Sequence, residues 1–432
     1  MNVSPPCYAM KYIVKAPNNI NATVTLPASK SLSNRALLIS AMAHDANGSS
    51  MILPDNLSDC DDTDVIVSAL RDMPDVIDIK AAGTAMRFMT AYLSCRDGEE
   101  HVITGTDRMC HRPIKTLVDA LRSLGADIEY VGEEGYPPLR IRGRRLQGGR
   151  IAIPGNVSSQ YISALLMIGP LLSDGLTLTL THEIVSRPYI DLTLCTMRDY
   201  GAEAEWTGVD TIHVASGSYV SRSYYIESDW SAASYWYQLM ALYCSEDCSV
   251  RLSGLIDGSR QGDSQVRYMY SLIGVRTQFE THQQFTPSDV ILKAHDMQVP
   301  RMDFDFTHQP DLAQTLIATC LSCGLHFHFR GLASLKIKET DRIEAMKTEM
   351  RRLGYVLHDY NDSELRWDGE RCQPEPDAVV RTYQDHRMAM AIAPMSVILG
   401  PLAIDDPMVV TKSYPHFWDD LRKAGFEIEV VD

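Results

Sequence analysis

The stretch from Ser334 to Met346, SLKIKETDRIEAM, places six charged side chains at the start of a predicted helix. Charged runs usually face water, so the simplest interpretation is a solvated helix entrance. The same stretch brings Lys338, Glu339 and Arg342 close together in sequence. A carboxyl group beside cations can transfer protons while the cations bind an anionic substrate. This second interpretation requires matching residues elsewhere in the chain.

Other cations stand at or next to predicted helix starts. The chain has a net charge of −16, so basic residues are in short supply and their placement is informative. Arginine forks fit carboxylates and phosphates, and helix N-termini attract anions. The pattern therefore predicts a site for small, highly anionic molecules. The eight cations are Lys30, Arg35, Arg87, Arg112, Lys338, Arg342, Arg387 and Lys412.

Two interleaved sequence patterns would supply the elements that position these cations. In the first, a helix-like run ends at a glycine and a strand-like alternation follows. A glycine at this place can adopt the positive φ that ends a helix. A weaker copy precedes Pro74. The glycines are Gly125, Gly201, Gly274, Gly354 and Gly425.

In the second pattern, an extended segment and a short turn precede an apolar helix. The six examples are LPASKSLSNRALLIS, KAAGTAMRFMTAYL, IPGNVSSQYISALLMI, IESDWSAASYWYQLM, HQPDLAQTLIATC and YQDHRMAMAIAPM. Together the patterns predict about six copies of a unit with two helices and several strands. Because 432 residues exceed one ordinary core, we expect two domains of three copies each.

Composition argues against several classes of protein. The acidic balance disfavours nucleic-acid binding, and the longest apolar run is too short and interrupted to cross a bilayer. The first residues match neither a signal nor a transit peptide, so the ten cysteines are expected to be reduced thiols in a cytoplasmic protein. The P-loop, GxGxxG and HExxH motifs are absent from the sequence.

Two groups of potential metal ligands have simpler interpretations. Cys320 and Cys323 have Cys-x-x-Cys spacing, but they lie late in a helix-like run without a second pair, which favours core packing. The acidic run SDCDDTD could hold a divalent ion. However, Asp62 and Thr63 stand where a helix N-cap belongs, so we favour a capping role.

Several motifs resemble a known family. LPASKSLSNRALL, AGTAMR, HRPI, SSQYISALLM, SRPYID, KETDR, DHRMAMA and TKSYP resemble the 3-phosphoshikimate 1-carboxyvinyltransferases, or EPSP synthases, in family order. The resemblance implies an α/β (α+β) fold, an inside-out α/β barrel with two similar domains, each of three βαβαββ units. It implies an N-terminal domain at 27–227, mainly for shikimate 3-phosphate. A second domain at 1–26 plus 228–432 would bind phosphoenolpyruvate and carry the acid/base residues, with the active site in the cleft between domains that close on substrate.

The resemblance also implies a reaction. The enolpyruvyl group of phosphoenolpyruvate would pass to the 5-hydroxyl of shikimate 3-phosphate, releasing phosphate, in chorismate and aromatic amino acid biosynthesis. The CH2 group must be protonated as the hydroxyl attacks C2, and phosphate leaves as the methyl group returns a proton. This requires cations and acid/base groups but no metal or organic cofactor. We expect a monomer with these two small-molecule partners and neither nucleic acid nor membrane.

The family's roles carry over to individual residues of this sequence. Asp311 is expected to take the hydroxyl proton and Glu339 to carry the proton of the CH2 group, assisted by Lys338 and Lys30. The expected shikimate 3-phosphate site is Lys30, Ser31, Arg35, Ser158, Ser159, Gln160, Ser186, Tyr189, Asp311, Ser334 and Lys338, with Arg187 beside it. The expected phosphoenolpyruvate site is Lys30, Gly83, Arg112, Gln160, Glu339, Arg342, His386, Arg387 and Lys412.

Two further expectations concern the acid/base residues and the helix entrance. Opposing effects of cations and burial are expected to place a carboxyl pKa near the working pH. Asp341 and Glu344 are interpreted as caps of the helix that follows. The opening charged stretch would then combine a helix start with part of the active site.

Three residues depart from the family motifs. Ala81 stands where asparagine is common, Phe88 replaces the usual proline, and Ser334 stands where an asparagine often contacts the shikimate side. None of these changes removes a charge that the chemistry requires, so we interpret them as tuning.

Two alternative functions remain open from the sequence. The sister enolpyruvyl transferase acts on UDP-N-acetylglucosamine and would use a loop cysteine as acid, for which Cys110 is the candidate. A non-catalytic anion-binding relative would have lost an acid/base residue, yet Asp311, Glu339 and Lys338 are all present.

Overall fold

The chain consists of two compact units. The computed structural model describes residues 10–47, 51–281, 283 and 286–431, so residues 1–9 of the predicted second domain lie outside the described residues. The inserted unit comprises Ala28–Glu227 and Arg260–Gly262. The discontinuous unit comprises Met1–Pro27, Ser228–Ser259 and Asp263–Asp432.

Short strands and helices alternate along the described residues. The strands are β1 (Lys11–Lys15), β2 (Asn21–Thr25), β3 (Val76–Asp78), β4 (Glu100–Thr104), β5 (Asp127–Tyr130), β6 (Leu139–Arg142), β7 (Gly149–Pro154), β8 (Leu176–Thr181), β9 (Ala204–Trp206), β10 (Thr211–Val214), β11 (Ser249–Ile256), β12 (Val275–Phe279), β13 (Pro287–Ala294), β14 (Arg301–Asp305), β15 (His326–Arg330), β16 (His358–Tyr360), β17 (Glu364–Trp367), β18 (Val379–Val380), β19 (Leu402–Asp405) and β20 (Glu427–Val431). The α-helices are α1 (Lys30–Asn47), α2 (Asp61–Asp72), α3 (Gly83–Ser94), α4 (Asp107–Cys110), α5 (Lys115–Ser123), α6 (Ser159–Ile168), α7 (Arg187–Asp199), α8 (Trp230–Tyr243), α9 (Val266–Leu272), α10 (Ala313–Ser322), α11 (Arg342–Arg352), α12 (His386–Ile392), α13 (Ser396–Leu399) and α14 (Phe417–Lys423). The 3-10 helices are Gly169–Leu171, Gly262–Gln265, Pro310–Leu312, Ala333–Ile337, Ala393–Met395 and Pro407–Lys412.

Five four-stranded sheets share one topology. In each sheet the first pairing is parallel and the next two are antiparallel, as expected of a βαβαββ repeat. The inserted unit contains the sheets β3-β4-β6-β5 and β7-β8-β10-β9. The discontinuous unit contains β2-β11-β13-β12, β14-β15-β17-β16 and β18-β19-β1-β20. Two of these sheets take a strand from the N-terminal segment, because β2 pairs with β11 and β1 lies between β19 and β20.

The remaining repeat, which contains α1 and α2, has the predicted helix pair with less sheet. Within the described residues its strand pairing is an isolated parallel bridge between Asp55 and Tyr225. The weaker helix stop predicted before Pro74 lies at Met73, which adopts φ 36° after α2. The next strand, β3, belongs to the neighbouring sheet. All six helix pairs are therefore formed.

The predicted helix stops and starts are confirmed. The five glycines have φ between 88° and 101°, and each is followed by a strand, namely β5, β9, β12, β16 and β20. A side chain at such a φ would be strained, which explains why glycine stands there. The six predicted helix starts begin α1, α3, α6, α8, α10 and α12.

Each unit has its own hydrophobic core. Trp230, Trp236 and Phe306 are fully buried in the discontinuous unit, and Leu37 and Leu165 are fully buried in the inserted unit. Two cores agree with the limit on the size of a single core. Across the described ranges, the helices are too short or too polar to cross a membrane.

The cysteines take the predicted packing role. The nine cysteines in the described part of the chain are free thiols. Cys320 is fully buried in α10, and Cys323 follows that helix and packs against the same core. Burial raises the pKa of Cys320, which keeps this thiol protonated and unreactive.

Candidate active site

Arg342 is the centre of a charged cluster in the discontinuous unit. Its guanidinium is 2% exposed and donates from Nε to Asp385 Oδ2 at 2.7 Å. Nη1 donates to Asp311 Oδ1 at 3.0 Å, and Nη2 donates to Glu339 Oε2 at 2.9 Å. Burial opposes the charge, but these three carboxylates hold the pKa of Arg342 above its ordinary value. A planar fork can serve several carboxylates at once, whereas a lysine is a single point charge.

Three further cations hold the two proposed acid/base carboxylates. Arg387 Nη2 lies 3.1 Å from Asp311 Oδ2, and its Nη1 donates to the Asp311 carbonyl at 3.1 Å. Lys338 Nζ lies 3.9 Å from Asp311 Oδ1. Lys412 Nζ lies 3.1 Å from Glu339 Oε1. Asp311 and Glu339 are therefore each shared between at least two cations.

The charges around Asp311 decide its protonation. Burial alone would raise the pKa of Asp311, but Arg387, Lys338 and Arg342 together hold it far below its ordinary value. Asp311 is therefore ionised, which differs from the expectation of a carboxyl group near working pH. A neighbouring buried carboxyl, Asp263, has that property instead, because burial and then the charge of Asp311 raise its pKa to about 7. Burial lowers the pKa of Lys338, an effect that Asp311 partly opposes.

Helix starts position the cluster. Asp341 caps α11 by accepting from the Glu344 N–H at 3.1 Å, which confirms its predicted role. Glu344 supplies this N–H, while its side chain pairs with Lys347. Asp385 caps α12 by accepting from the Arg387 N–H at 2.9 Å. The caps satisfy backbone donors that would otherwise lack partners, and they fix the neighbouring charged side chains.

The turn before Asp385 adopts a strained backbone. Tyr383 and Gln384 both have φ of 55°, in the left-handed region. Such residues cost roughly 1–3 kcal/mol each and require support from their surroundings. The buried carboxylate of Glu349 provides it by accepting from Tyr383 Oη at 2.7 Å and from the Arg381 N–H at 3.1 Å. The strain lies directly before the motif that supplies Asp385 and Arg387.

Two predicted residues, His386 and Ser334, have weak or no hydrogen-bonded connections to this cluster. His386 is buried, with Nδ1 3.7 Å from Asp385 Oδ1. Ser334 is half-buried on the 3-10 helix Ala333–Ile337, and the described residues include no hydrogen bond from it to the cluster. Lys412 ends the 3-10 helix Pro407–Lys412 and does not stand at a helix start, contrary to the prediction.

The inserted unit presents a second group of predicted residues at its helix starts. Lys30 begins α1, and Ser158 caps α6 by accepting from the Gln160 N–H at 3.3 Å. Gln160 Nε2 donates to Thr84 Oγ1 at 3.0 Å, which joins the start of α6 to that of α3. The last two predicted serines lie at the same kind of position, because Ser159 begins α6 and Ser186 is the N-cap of α7.

Arg35 is a buried cation without a carboxylate partner among the described residues. It is 3% exposed, and burial lowers its pKa to about 10. Nη1 donates to the Ser31 carbonyl at 2.8 Å and Nη2 to the Tyr189 carbonyl at 3.3 Å. The structure therefore brings together Ser31, Arg35 and Tyr189. Because an isolated buried charge is costly, an anionic ligand would stabilise this arrangement.

Gly83 and Arg112 are in close contact at the start of α3. A Cβ atom built on Gly83 would lie 2.5 Å from Arg112 Nη1. The Arg112 Nε atom is buried and has no hydrogen-bond partner within the described ranges. The missing side chain at position 83 thus leaves room for a guanidinium that still has a free donor.

Lys30 forms an ion pair with Asp62. Its Nζ lies 3.0 Å from Asp62 Oδ2, with the two side chains 14% and 5% exposed. The predicted capping role of Asp62 and Thr63 is wrong, because α2 is preceded by Cys60 as N-cap. Thr63 instead donates to Asn34 Oδ1 at 2.9 Å. In the part of the chain that the structure describes, no three or more His, Cys, Asp or Glu side chains are arranged so that they could hold a metal ion.

Two other arginines of the predicted set bind the protein itself. Arg87 Nη2 donates to the Pro113 carbonyl at 2.9 Å, which ties the AGTAMR and HRPI motifs together. The Arg187 guanidinium lies 4.0 Å from the Trp206 ring centroid and donates to the Val209 carbonyl at 3.2 Å. These contacts give both arginines a structural role.

Comparisons with known proteins cover nearly the whole chain. The profile of the family described as EPSP synthase (3-phosphoshikimate 1-carboxyvinyltransferase) matches residues 14–74 and 72–421. A Bacteroides fragilis protein named 3-phosphoshikimate 1-carboxyvinyltransferase is 56% identical over 421 residues, covering 98% of this chain and 99% of that protein. A Haemophilus influenzae protein of the same name is 35% identical over 451 residues, covering 96% of this chain and 99% of the relative.

Solved structures show the same fold. The EPSP synthase from Acinetobacter baumannii matches with a TM-score of 0.76 at 21% identity, covering 98% of this chain and all of that chain. The enolpyruvyl transferase NikO from Streptomyces tendae matches with a TM-score of 0.69 at 16% identity, covering 98% and 99% of the two chains. These matches confirm the predicted two-domain inside-out α/β fold.

Proposed function

The chain belongs to the EPSP synthase (3-phosphoshikimate 1-carboxyvinyltransferase) family, and on this premise we propose that it joins phosphoenolpyruvate to shikimate 3-phosphate. The observation that carries the proposal is the cluster in which Arg342, Arg387, Lys338 and Lys412 surround two carboxylates. The residues of the inserted unit serve mainly shikimate 3-phosphate. Those of the discontinuous unit supply the acid/base groups and most phosphoenolpyruvate contacts. Lys30, Gly83, Gln160 and Arg112 of the inserted unit complete the phosphoenolpyruvate set.

In the first step, phosphoenolpyruvate competes with Asp311 for the same arginine side chains. Phosphoenolpyruvate carries a carboxylate and a phosphate, and both suit the forks of Arg342 and Arg387. These forks are bonded to Asp311, so their transfer to the ligand weakens the interactions that lower its pKa. The pKa of Asp311 then rises, and the carboxylate becomes a stronger base for the 5-hydroxyl proton. Substrate binding itself thereby prepares the base.

The second step forms and then collapses a tetrahedral intermediate. Asp311 takes the 5-hydroxyl proton as the oxygen bonds to C2. Glu339, which enters this step in its protonated form, delivers its proton to the CH2 group, which becomes a methyl group. The bond between C2 and the phosphate oxygen then breaks, and one methyl proton returns to Glu339. The proton held by Asp311 passes to the leaving phosphate, which returns both carboxyl groups to their starting states. The products are the enolpyruvyl ether and inorganic phosphate. The nearby cations stabilise the charge that develops on the leaving phosphate.

Phosphate release with different acceptors tests the proposal. Purified protein is mixed with phosphoenolpyruvate and a metal chelator, then with either shikimate 3-phosphate or UDP-N-acetylglucosamine. We expect release only with shikimate 3-phosphate. Release only with UDP-N-acetylglucosamine would assign the chain to the sister reaction, and release with neither acceptor would overturn the proposal.

Gly83→Ala tests the contact between α3 and Arg112. The added methyl group must displace the guanidinium, because it would lie 2.5 Å from Nη1. The clash involves only the flexible end of the Arg112 side chain, which can move without disturbing the fold. We therefore expect unchanged thermal stability. The Michaelis constant for phosphoenolpyruvate should rise about tenfold, as for loss of one charged hydrogen bond. An unchanged constant would remove Arg112 from the phosphoenolpyruvate site.

Asp62→Asn tests the anchor of Lys30. Asparagine keeps the shape of Asp62 but removes the charge that lies 3.0 Å from the ammonium group. Lys30 is then less well fixed, and we expect the Michaelis constants for both substrates to rise, with kcat/KM falling about tenfold. Asp72→Asn is a suitable control, because Asp72 ends the same helix and pairs with exposed Arg71. Equal kinetics in the two variants would contradict the role of Asp62.

The proposed function also bears on the oligomeric state and the cellular compartment of the protein. A monomer would suffice, because one chain contains all the proposed site residues and a core in each unit. The nine free thiols among the described residues fit a reducing compartment, which supports a cytoplasmic location.

A further inference from the structure

We propose that the buried hydroxyl groups of Ser163 and Thr193 are positioning residues that fix Arg35 for the carboxylate of the acceptor substrate. The inference rests on the proposed function for the identity of that substrate. Arg35 lies on α1, Ser163 on α6 and Thr193 on α7, so three helices meet at one guanidinium. Ser163 and Thr193 are both fully buried.

The donors and acceptors among these groups can be assigned in only one way. Thr193 Oγ1 donates its single hydrogen to the Tyr189 carbonyl at 2.8 Å and accepts from Arg35 Nε at 2.7 Å. Ser163 Oγ lies 2.8 Å from Thr193 Oγ1 and accepts from Arg35 Nη2 at 3.2 Å. Since the Thr193 hydrogen is already used, Ser163 must donate to Thr193. The two hydroxyls therefore form a chain that starts at the arginine and ends at a backbone carbonyl.

Four of the five guanidinium N–H groups are thereby occupied. Nε bonds Thr193, Nη2 bonds Ser163 and the Tyr189 carbonyl, and one hydrogen of Nη1 bonds the Ser31 carbonyl. The second hydrogen of Nη1 has no acceptor in the described part of the chain. All the occupied acceptors are uncharged, so the cation keeps its full charge for a ligand while its rotation is prevented.

Phe88 covers another side of the same guanidinium. The Arg35 Cζ atom lies 5.4 Å from the centroid of the buried Phe88 ring. An aromatic face attracts a guanidinium and excludes water from it. Phe88 departs from the family motif, so this contact gives that departure a physical role in supporting Arg35.

Thr193→Val tests the positioning role with little change in volume. Without the hydroxyl, Arg35 Nε loses its acceptor and Ser163 loses its orientation. We expect the Michaelis constant for shikimate 3-phosphate to rise about tenfold or more. The constant for phosphoenolpyruvate and kcat should change less than about threefold, because the reacting groups are untouched. Thr193→Ser keeps the hydroxyl and should restore the wild-type constant.

Thr196→Val is the matched control. Thr196 lies on the same helix, is equally buried and donates to the Leu192 carbonyl at 2.8 Å rather than contacting Arg35. A general loss of stability would affect both valine variants, whereas a positioning role affects only Thr193→Val. Equal Michaelis constants in the two valine variants, or no restoration by Thr193→Ser, would overturn the inference.

A second readout needs no substrate. Hydrogen exchange at Arg35 Nε is followed by nitrogen-15 NMR of arginine-labelled protein and assigned with Arg35→Lys. We expect slow exchange in the wild type and in Thr196→Val, and exchange about tenfold faster or more in Thr193→Val. Similar exchange in all three proteins would refute the inference. If the wild-type protein fails to use shikimate 3-phosphate, the proposed function fails, while this exchange measurement still decides the positioning role.

Discussion

Asp311→Asn is expected to lower kcat about a thousandfold, as for loss of a general base. Asparagine has the same shape, and its single side-chain oxygen can still accept from Arg342. Its backbone carbonyl still accepts from Arg387, but the side chain cannot take the proton of the 5-hydroxyl group. The Michaelis constants should change much less than kcat, because the cations remain available to the substrates. Steady-state phosphate release measures both quantities.

The stability of Asp311→Asn must be separated from its chemistry. Removing one carboxylate from a buried charged cluster costs roughly 3–5 kcal/mol of unfolding free energy. Cations hold the folded-state pKa of Asp311 below its unfolded value, so its stabilising effect is present above the unfolded pKa and is lost as the pH falls through the folded value. The charge of Asp311 also helps to raise the pKa of buried Asp263 to about 7, so Asp263 ionises in the folded wild type between about pH 6 and pH 8 and destabilises it there. The difference in stability between wild type and Asp311→Asn should therefore be smaller at about pH 8 than at about pH 6.

The role of Asp311 is decided by comparing kcat of Asp311→Asn with that of a surface control variant. Asp303→Asn removes an aspartate that pairs with Arg301 and is 58% exposed, and it should keep wild-type kinetics. A folded Asp311→Asn protein with kcat within tenfold of wild type would contradict the assignment of Asp311 as the base.

Glu339→Gln is expected to lower kcat about a hundredfold to a thousandfold. Arg342 lies 2.9 Å from one oxygen of Glu339 and Lys412 lies 3.1 Å from the other, so glutamine keeps the shape and an acceptor for one of these cations. It cannot deliver a proton to the CH2 group or take one back from the methyl group. In deuterated water, the variant should also incorporate deuterium into C3 of phosphoenolpyruvate much more slowly than wild type.

Glu344→Gln is the matched control for Glu339→Gln. Glu344 lies on the same helix entrance, pairs with Lys347 and is 63% exposed. We expect unchanged turnover and deuterium incorporation in this control. If Glu339→Gln incorporated deuterium at the wild-type rate, the proton transfer would be assigned to a different group. Lys338 would be the next candidate.

Local signals in the sequence predicted the framework well. The helix stops at Gly125 and Gly425 depend on the φ of one residue, and the helix starts depend on a few neighbouring residues. The cap at Asp341 is equally local, since its acceptor and donor are three residues apart. Repetition of these local features also predicted the number of helix pairs.

The partners of the charged residues were harder to predict. Arg342 and Asp385 are 43 positions apart, and Arg35 and Thr193 are 158 positions apart, so only the fold brings each pair together. Asp385 is the first residue of the DHRMAM motif, and this position was the only feature of the sequence that indicated its importance. A buried threonine such as Thr193 has no signal of this kind in a single sequence.

The protonation state of Asp311 shows a similar limit. A sequence shows that a carboxylate lies near cations, but the size of the pKa change depends on how many cations reach it and at what distance. Three cations contact Asp311, at 3.0, 3.1 and 3.9 Å. Their combined effect exceeds that of burial, which was not evident from sequence spacing.

Proton NMR of one mixture tests the central claim most directly. The protein is incubated with phosphoenolpyruvate, shikimate 3-phosphate and UDP-N-acetylglucosamine together, in the presence of a metal chelator. We predict that the vinyl signals of phosphoenolpyruvate are replaced by those of an enolpyruvyl ether on the 5-oxygen of shikimate 3-phosphate, with UDP-N-acetylglucosamine unchanged. An enolpyruvyl ether on UDP-N-acetylglucosamine, or persistence of all three starting materials, would contradict the account.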